Sequence, residues 1–308
     1  MKTFRGRMFT STIPISFTRI ILRIKNNMAT KSDLPVVQPY NNNDWEFIHP
    51  EAIETESVQN EYWNAVEMLD HDDNAAENSL KRLIAKYPYF IDAYNHLAIA
   101  FRNQRKGFES LLTAEKSFNL GRSYFPRSFN FKKDKLIWSN HDNRPFLRAC
   151  QIYGLELQYH KKFDEAINIF QLNLALNEGD NQGIRYLLLE TFFASKAYTK
   201  AQKLVDKYEG DFSIEFKFGA VALAIIQNNP VKADSSLNEA IRTNKFFIDE
   251  VIKDRHLKPP AFRLPGEPDL DAGNPVGSIQ EAFEYWKRNE QLYKTKKIID
   301  FFKSKKNP

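Results

Sequence analysis

One helix-pair unit, repeated with drift, constrains this chain more than any other feature. Its clearest copy runs from Ala149 to Asn177, ACQIYGLELQYHKKFDEAINIFQLNLALN. Small residues at Gly154 and Ala166 alternate with large apolar ones at Phe163 and Phe170, at spacings that put each set on one face of a helix. A pair of this kind cannot bury its apolar face alone. Its small residues let two helices approach closely, and large residues of the neighbouring pair fill the remaining volume.

The unit recurs along the chain. A first pair is expected over 57–87, with Ala76, Leu80 and Leu83 on its second helix and Pro88 closing it. A second starts at Phe90, carries Tyr94, Leu97, Ala98 and Phe101 on its first helix, and continues over 108–120 with Gly121 as a C-cap. Residues 121–143 break the period, with room for a short helix over 132–138. The third pair covers 145–178. The fourth covers 182–208, opening after the capping residues Asp180 and Asn181. The fifth covers 212–243, with Ala233, Leu237 and Ala240. The helix alanines Ala166, Ala201 and Ala233 lie 35 and 32 residues apart, close to a period of about 34. The pattern resembles the tetratricopeptide repeat (TPR). It predicts an all-α fold, a right-handed α-solenoid of about five helix pairs with a C-terminal capping helix.

Outside the array, Pro35, Pro39, Asn41, Asn42, Asn43 and Pro50 make 33–56 an irregular lead-in. The array spans 57–243, with its insertion at 121–143. Residues 244–276 form a proline-rich connection. Residues 277–304 read as an amphipathic helix, opened by a capping box at Ser278 and Glu281.

A narrower resemblance rests on two segments. Asn143-Arg144-Pro145-Phe146-Leu147-Arg148-Ala149 opens the third pair, and Asp180-Asn181-Gln182-Gly183-Ile184-Arg185-Tyr186-Leu187-Leu188 joins it to the fourth. With Gly277-Ser278 and the tryptophan-bearing last helix, 145–302 resembles the TPR proteins of the suppression-of-tumorigenicity-seven type. Glu178-Gly179 stands where that family has Asn-Pro. The resemblance implies a helical repeat with an interaction role and supplies no catalytic residues. The membrane segments of the family's eukaryotic members have no counterpart in this sequence.

Charge narrows the partners. Residues 1–32 form a basic leader carrying Lys2, Arg5, Arg7, Arg19, Arg23, Lys25 and Lys31 and no acid; removing these seven charges from the formal +5 leaves −2. A near-neutral body argues against nucleic acid as the partner. The leader itself reads as a mitochondrial presequence, a membrane-surface helix, or an upstream extension with Met28 as the start. No run of about 20 apolar residues crosses a membrane. A cytoplasmic location is expected, or a mitochondrial one if the leader is a presequence.

In a TPR array, helix-A residues line the concave groove. Asn95, Arg102, Arg148, Gln151, Tyr186, Glu190 and Phe193 are the candidate partner-binding residues, with Arg102 and Arg148 suited to a carboxylate. The Lys and Asn clamp of chaperone-tail binders is not matched, because its sites hold Asn95, Ile99, Gln151 and Leu155. The histidines His49, His71, His96, His141, His160 and His256 form no metal-binding spacing, and Cys150 lies at an apolar repeat position. No catalytic residue, cofactor or metal is expected. A non-enzymatic adaptor or scaffold holding a protein or peptide fits best. The alternatives are an RNA-binding helical repeat, or an enzyme using His141 and Asp142 in the insertion.

Overall fold

The computed structural model describes residues 32–264, 266–271 and 273–306. The expectations about the basic leader, a start at Met28 included, fall on residues outside these. The described chain is mostly helical and divides into two compact units, residues 1–182 and 183–308.

The first unit opens with strands β1 (Val36–Asn41) and β2 (Asp44–Ile48), followed by a single turn, α1 (Glu51–Glu54). The expected irregular lead-in is therefore a hairpin. Val37 pairs with Phe47 across it, and Asn42 makes the turn with φ 46°. The reason is alternation: Val37, Trp45 and Phe47 are buried between exposed or half-buried neighbours, so one face of the ribbon joins the core. Pro39 sits where the register shifts, between Pro39 and Asn41, on a strand of a two-stranded sheet, a position that tolerates its missing N–H.

Three helix pairs follow. They are α2 (Glu56–Met68) with α3 (Asp73–Lys86), α4 (Ile91–Asn103) with α5 (Gly107–Ser123), and α6 (Arg144–Tyr159) with α7 (Phe163–Leu176). Asp72 caps α3 by accepting from the N–H groups of Asn74 and Ala75. Gly154 serves close approach: a Cβ there would lie 2.4 Å from the Phe170 ring. Gly121 is not a C-cap. It lies inside α5, and a Cβ on it would lie 2.4 Å from the Phe146 ring.

The insertion forms no helix over 132–138. Its backbone runs beside the hairpin instead: Lys135 N–H donates to Asn43 O (2.8 Å) and Trp45 N–H donates to Lys135 O (2.9 Å). Leu136 is fully buried, and its N–H donates to Leu176 O at 2.8 Å. These bonds use the groups a helix would need. Phe125, Phe129 and Phe131 close a ring cluster, with centroids 4.5 Å apart for the first two and 4.8 Å for the last two. Asn143 fastens hairpin and insertion to the start of α6. Its Oδ1 accepts from Phe47 N–H (2.9 Å), and its Nδ2 donates to Trp45 O (3.1 Å).

The second unit holds two pairs, α8 (Ile184–Ala194) with α9 (Tyr198–Lys207), and α10 (Ile214–Ile226) with α11 (Pro230–Thr243). Helix α8 is entered through Gly183 at φ 68°, so Asp180 and Asn181 do not cap it. The proline-rich connection contains α12 (Phe247–Ile252) and a small hairpin, β3 (Arg263–Leu264) with β4 (Glu267–Asp271). The expected single last helix is three: α13 (Ile279–Arg288), α14 (Glu290–Tyr293) and α15 (Lys296–Lys306). The first break falls at Asn289, whose Nδ2 turns inward and donates to Tyr285 O at 3.1 Å. An amide that bonds its own backbone competes with helix continuation. Buried Tyr285, Tyr293 and Phe302 from these helices meet Phe247 and Phe218, closing the unit's core. The architecture is an all-α helical repeat of five helix pairs with a C-terminal helical segment.

Candidate functional site

The helix-A residues expected to line a groove are mostly tied into the protein. In the first unit, Asn95 is fully buried. Its Nδ2 donates to Asp92 Oδ1 (2.9 Å) and Pro145 O (2.8 Å), and its Oδ1 accepts from the Ser117 hydroxyl (2.6 Å). Arg148 Nε donates to Asp92 Oδ1 at 2.9 Å, and a second guanidinium nitrogen bonds Oδ2. Asp92 thus brings Asn95 and Arg148 together. Burial alone would raise the Asp92 carboxyl, but the Arg148 guanidinium outweighs it and holds the group at about 2. Arg102 Nε donates to Glu156 Oε1 at 2.9 Å while its guanidinium lies 4.2 Å above the Tyr159 ring. Gln151 Oε1 accepts from Gln182 Nε2 at 2.8 Å.

In the second unit, Phe193 is buried. Glu190 Oε1 accepts from Arg288 Nε at 2.8 Å, and a terminal nitrogen of the same guanidinium reaches Glu215 Oε1 at 2.7 Å. Burial pushes Glu215 up to about 7; the Glu190 charge adds to the rise, and the Arg288 guanidinium offsets only part of it. Tyr186, the last of the seven, lines an open space.

That space is a cleft of about 740 Å³ within the second unit, at the turn from α9 into α10. The sequence Glu209-Gly210-Asp211 turns the chain there, and Ser213 caps α10 by accepting from Phe216 N–H. Arg185 forms the floor. Its Nε donates to Asp211 Oδ2 at 2.7 Å, and its guanidinium lies 4.2 Å over the Tyr186 ring and 5.8 Å from Tyr208. Phe216 meets both tyrosines edge-on, at 5.8 and 5.7 Å. Burial, then the Asp211 charge, pushes the Tyr186 hydroxyl up to about 12, and the hydroxyl accepts from the Arg185 guanidinium. Lys207, Phe212, Val276 and Glu281 complete the rim. Glu281 is occupied, with Oε2 accepting from Gly277 N–H (2.7 Å) and Asn244 Nδ2 (3.0 Å). Phe212 and Val276 are 77% and 76% exposed, a high value for large apolar side chains beside a concave surface.

The cleft residues Lys207, Tyr208, Phe212 and Val276 do not follow from the repeat pattern. The one legible signal is Phe212, a bare phenylalanine beside a Gly-Asp turn. Cys150 is buried, and burial pushes its thiol well up. Among the described residues no group of three or more His, Cys, Asp or Glu side chains is placed to hold a metal ion. No described helix is long and apolar enough to cross a membrane.

A family model described as Tcf25, transcriptional repressor TCF25, matches residues 45–307. The chain belongs to the TCF25 family. The TCF25 match takes in β2, all five helix pairs and the C-terminal segment. It is a different family from the suppression-of-tumorigenicity-seven type, a resemblance that no match supports. No curated protein matches this TCF25 family member. Similar solved structures include a tetratricopeptide repeat protein from Parabacteroides merdae (18% identity, 61% of this chain and 67% of that one, TM-score 0.47). PilF of Pseudomonas aeruginosa shares 14% identity over 62% of this chain and 79% of its own, with a TM-score of 0.45. YrrB, a TPR protein with an unusual peptide-binding site, shares 16% identity over 62% and 90%, with a TM-score of 0.45.

Proposed function

We propose that this TCF25 family member is a non-enzymatic adaptor that holds an extended segment of a partner protein in the cleft at the α9–α10 turn. The family's description, transcriptional repressor, supplies the setting: the partner belongs to an assembly that acts on transcription. The observation that carries the reading is the pairing of exposed Phe212 and Val276 across a floor of Arg185 stacked on Tyr186. Aromatic and aliphatic side chains at the rim bury apolar anchors of a peptide, while the exposed Lys207 engages its polar groups. The cleft, and not the helix-A residues Asn95, Arg102, Arg148 and Gln151, is the surface with side chains to spare.

The test is a photo-crosslinking residue placed at Phe212 and, as a control, at Val231, which is 80% exposed on α11. The expected result is one protein crosslinked from position 212 and absent from position 231, and lost again in a Val276→Asp background. Equal crosslinking from both positions overturns the reading.

A further inference from the structure

The insertion in the first unit segregates charge that the whole-chain balance conceals. Residues 122–144 carry Arg122, Arg127, Lys132, Lys133, Lys135 and Arg144 against only Asp134 and Asp142. Two of the cations are committed: Lys135 pairs with Glu178 at 2.8 Å, and Arg144 Nε donates to Trp138 O at 3.0 Å. Arg127, Lys132 and Lys133 are exposed and have no acidic partner among the described residues. Arg122 joins them, its guanidinium 5.3 Å from the Phe131 ring, which immediately precedes the two lysines.

The loop is firmly mounted. Phe125, Phe129 and Phe131 anchor its inner side. Asn130 ties its turn. Asn130 Oδ1 accepts from Lys132 N–H (3.0 Å), and Asn130 O accepts from Lys133 N–H (2.9 Å) and Asp134 N–H (2.8 Å). Asp134 Oδ2 in return accepts from Asn130 N–H at 2.7 Å, which directs the loop's nearest acid into its own turn. The rings therefore face the core, and the cations face water.

We propose that this loop is a docking surface for the phosphodiester backbone of a single RNA strand. The exposed residues of the turn, Arg127, Ser128, Asn130, Lys132 and Lys133, include no apolar side chain. The loop lacks the buried aromatic or aliphatic anchor that carries most protein interfaces, whereas phosphate neutralisation and counterion release suffice for a polyanionic strand. The loop offers no helix or ribbon to a duplex groove, and its short hydrogen-bonded turn suits a flexible single strand. Single strands in a cell are chiefly RNA. The half-buried rings leave no exposed base-stacking platform, so binding is independent of sequence.

The test uses the full chain and a 12-nucleotide polyuridine RNA, titrated by fluorescence anisotropy at several salt concentrations. Full chain is essential because the leader adds its own basic charges, so each reading is a difference between variants. Lys132→Gln with Lys133→Gln is expected to weaken binding on the order of tenfold near 0.1 M salt and to reduce the log–log salt slope by about 1.4, two phosphate contacts at about 0.7 each. Lys200→Gln with Lys203→Gln removes the same charge from α9 in the second unit and is expected to change neither. Circular dichroism checks that both variants keep wild-type helicity; these side chains make no described bond. A DNA strand of equal length is expected to bind within about threefold, since the contacts are phosphates. Equal losses in the two variant pairs overturn the proposal. So does polyglutamate or duplex RNA of equal charge binding as tightly as polyuridine, the first result assigning the loop to acidic proteins.

Discussion

Arg148 on α6 grips Asp92 on α4 through both carboxylate oxygens, 56 residues apart in sequence, with Asp92 buried and Arg148 half-buried between two helix pairs. The pair also orients Asn95, so two residues that a repeat pattern places in a ligand groove, Asn95 and Arg148, meet at Asp92 in one internal junction. Removing one partner of such a pair strands a buried charge. Arg148→Met is expected to cost about 3–5 kcal/mol, measured by urea unfolding. A double variant, Arg148→Met with Asp92→Leu, should recover most of that loss. The pair also sets an acid limit. Asp92 is held at about 2 in the folded chain against 3.8 for its ordinary value. Its contribution is complete above the higher value and is lost as pH falls through the lower one.

The Glu215 carboxyl has the opposite sign. Its folded value of about 7 lies above the ordinary 4.5, so protonation favours the folded state. The contribution is complete below about 4.5 and is lost as pH rises through about 7. Thermal melts between pH 5 and 8 are expected to show the second unit losing stability with rising pH. Glu215→Gln, which keeps an acceptor for Arg288 without the titration, should flatten that slope. A slope unchanged in the variant would show that another group carries it.

Gly154 and Phe170 interlock the third pair. With a Cβ 2.4 Å from the ring, Gly154→Val overfills the contact and is expected to cost about 1–3 kcal/mol. Gly210, where an added Cβ meets nothing within 4 Å, is the matched control: Gly210→Ala should leave the melting temperature within about 1 °C.

Asn143 holds the N-terminal hairpin. It is fully buried and bonds Phe47 N–H, Trp45 O and Ile137 O. Asn143→Leu leaves those backbone groups unpaired, at about 1–3 kcal/mol each in the worst case. Hydrogen exchange is expected to rise at Trp45 and Phe47 while the amides of α10 keep their protection. Uniform loss across both units would show instead that the hairpin is not a local element.

Much of the fold is legible in the amino-acid sequence. Ala76, Ala98, Gly154, Ala166, Ala201 and Ala233 mark helix contacts because a helical stripe depends on local spacing alone. The hairpin reads as irregular because prolines and asparagines mask a two-residue alternation only five residues long on β2. The short helix expected over 132–138 does not form because β2 and Leu176 claim its backbone groups. The candidate site is less legible still. Charge and helix position nominate Arg148 and Glu190 for a partner, yet their ions come from Asp92 and from Arg288, 98 residues beyond Glu190.

Local spacing along the chain is enough to specify the helix pairs, their number and their small-residue contacts. It does not specify which charges are spent inside the protein and which, as at Lys132, Lys133 and Lys207, stay exposed to solvent. Folding makes that choice, because ion pairing and burial depend on distances between segments far apart in the chain, and no local pattern encodes them.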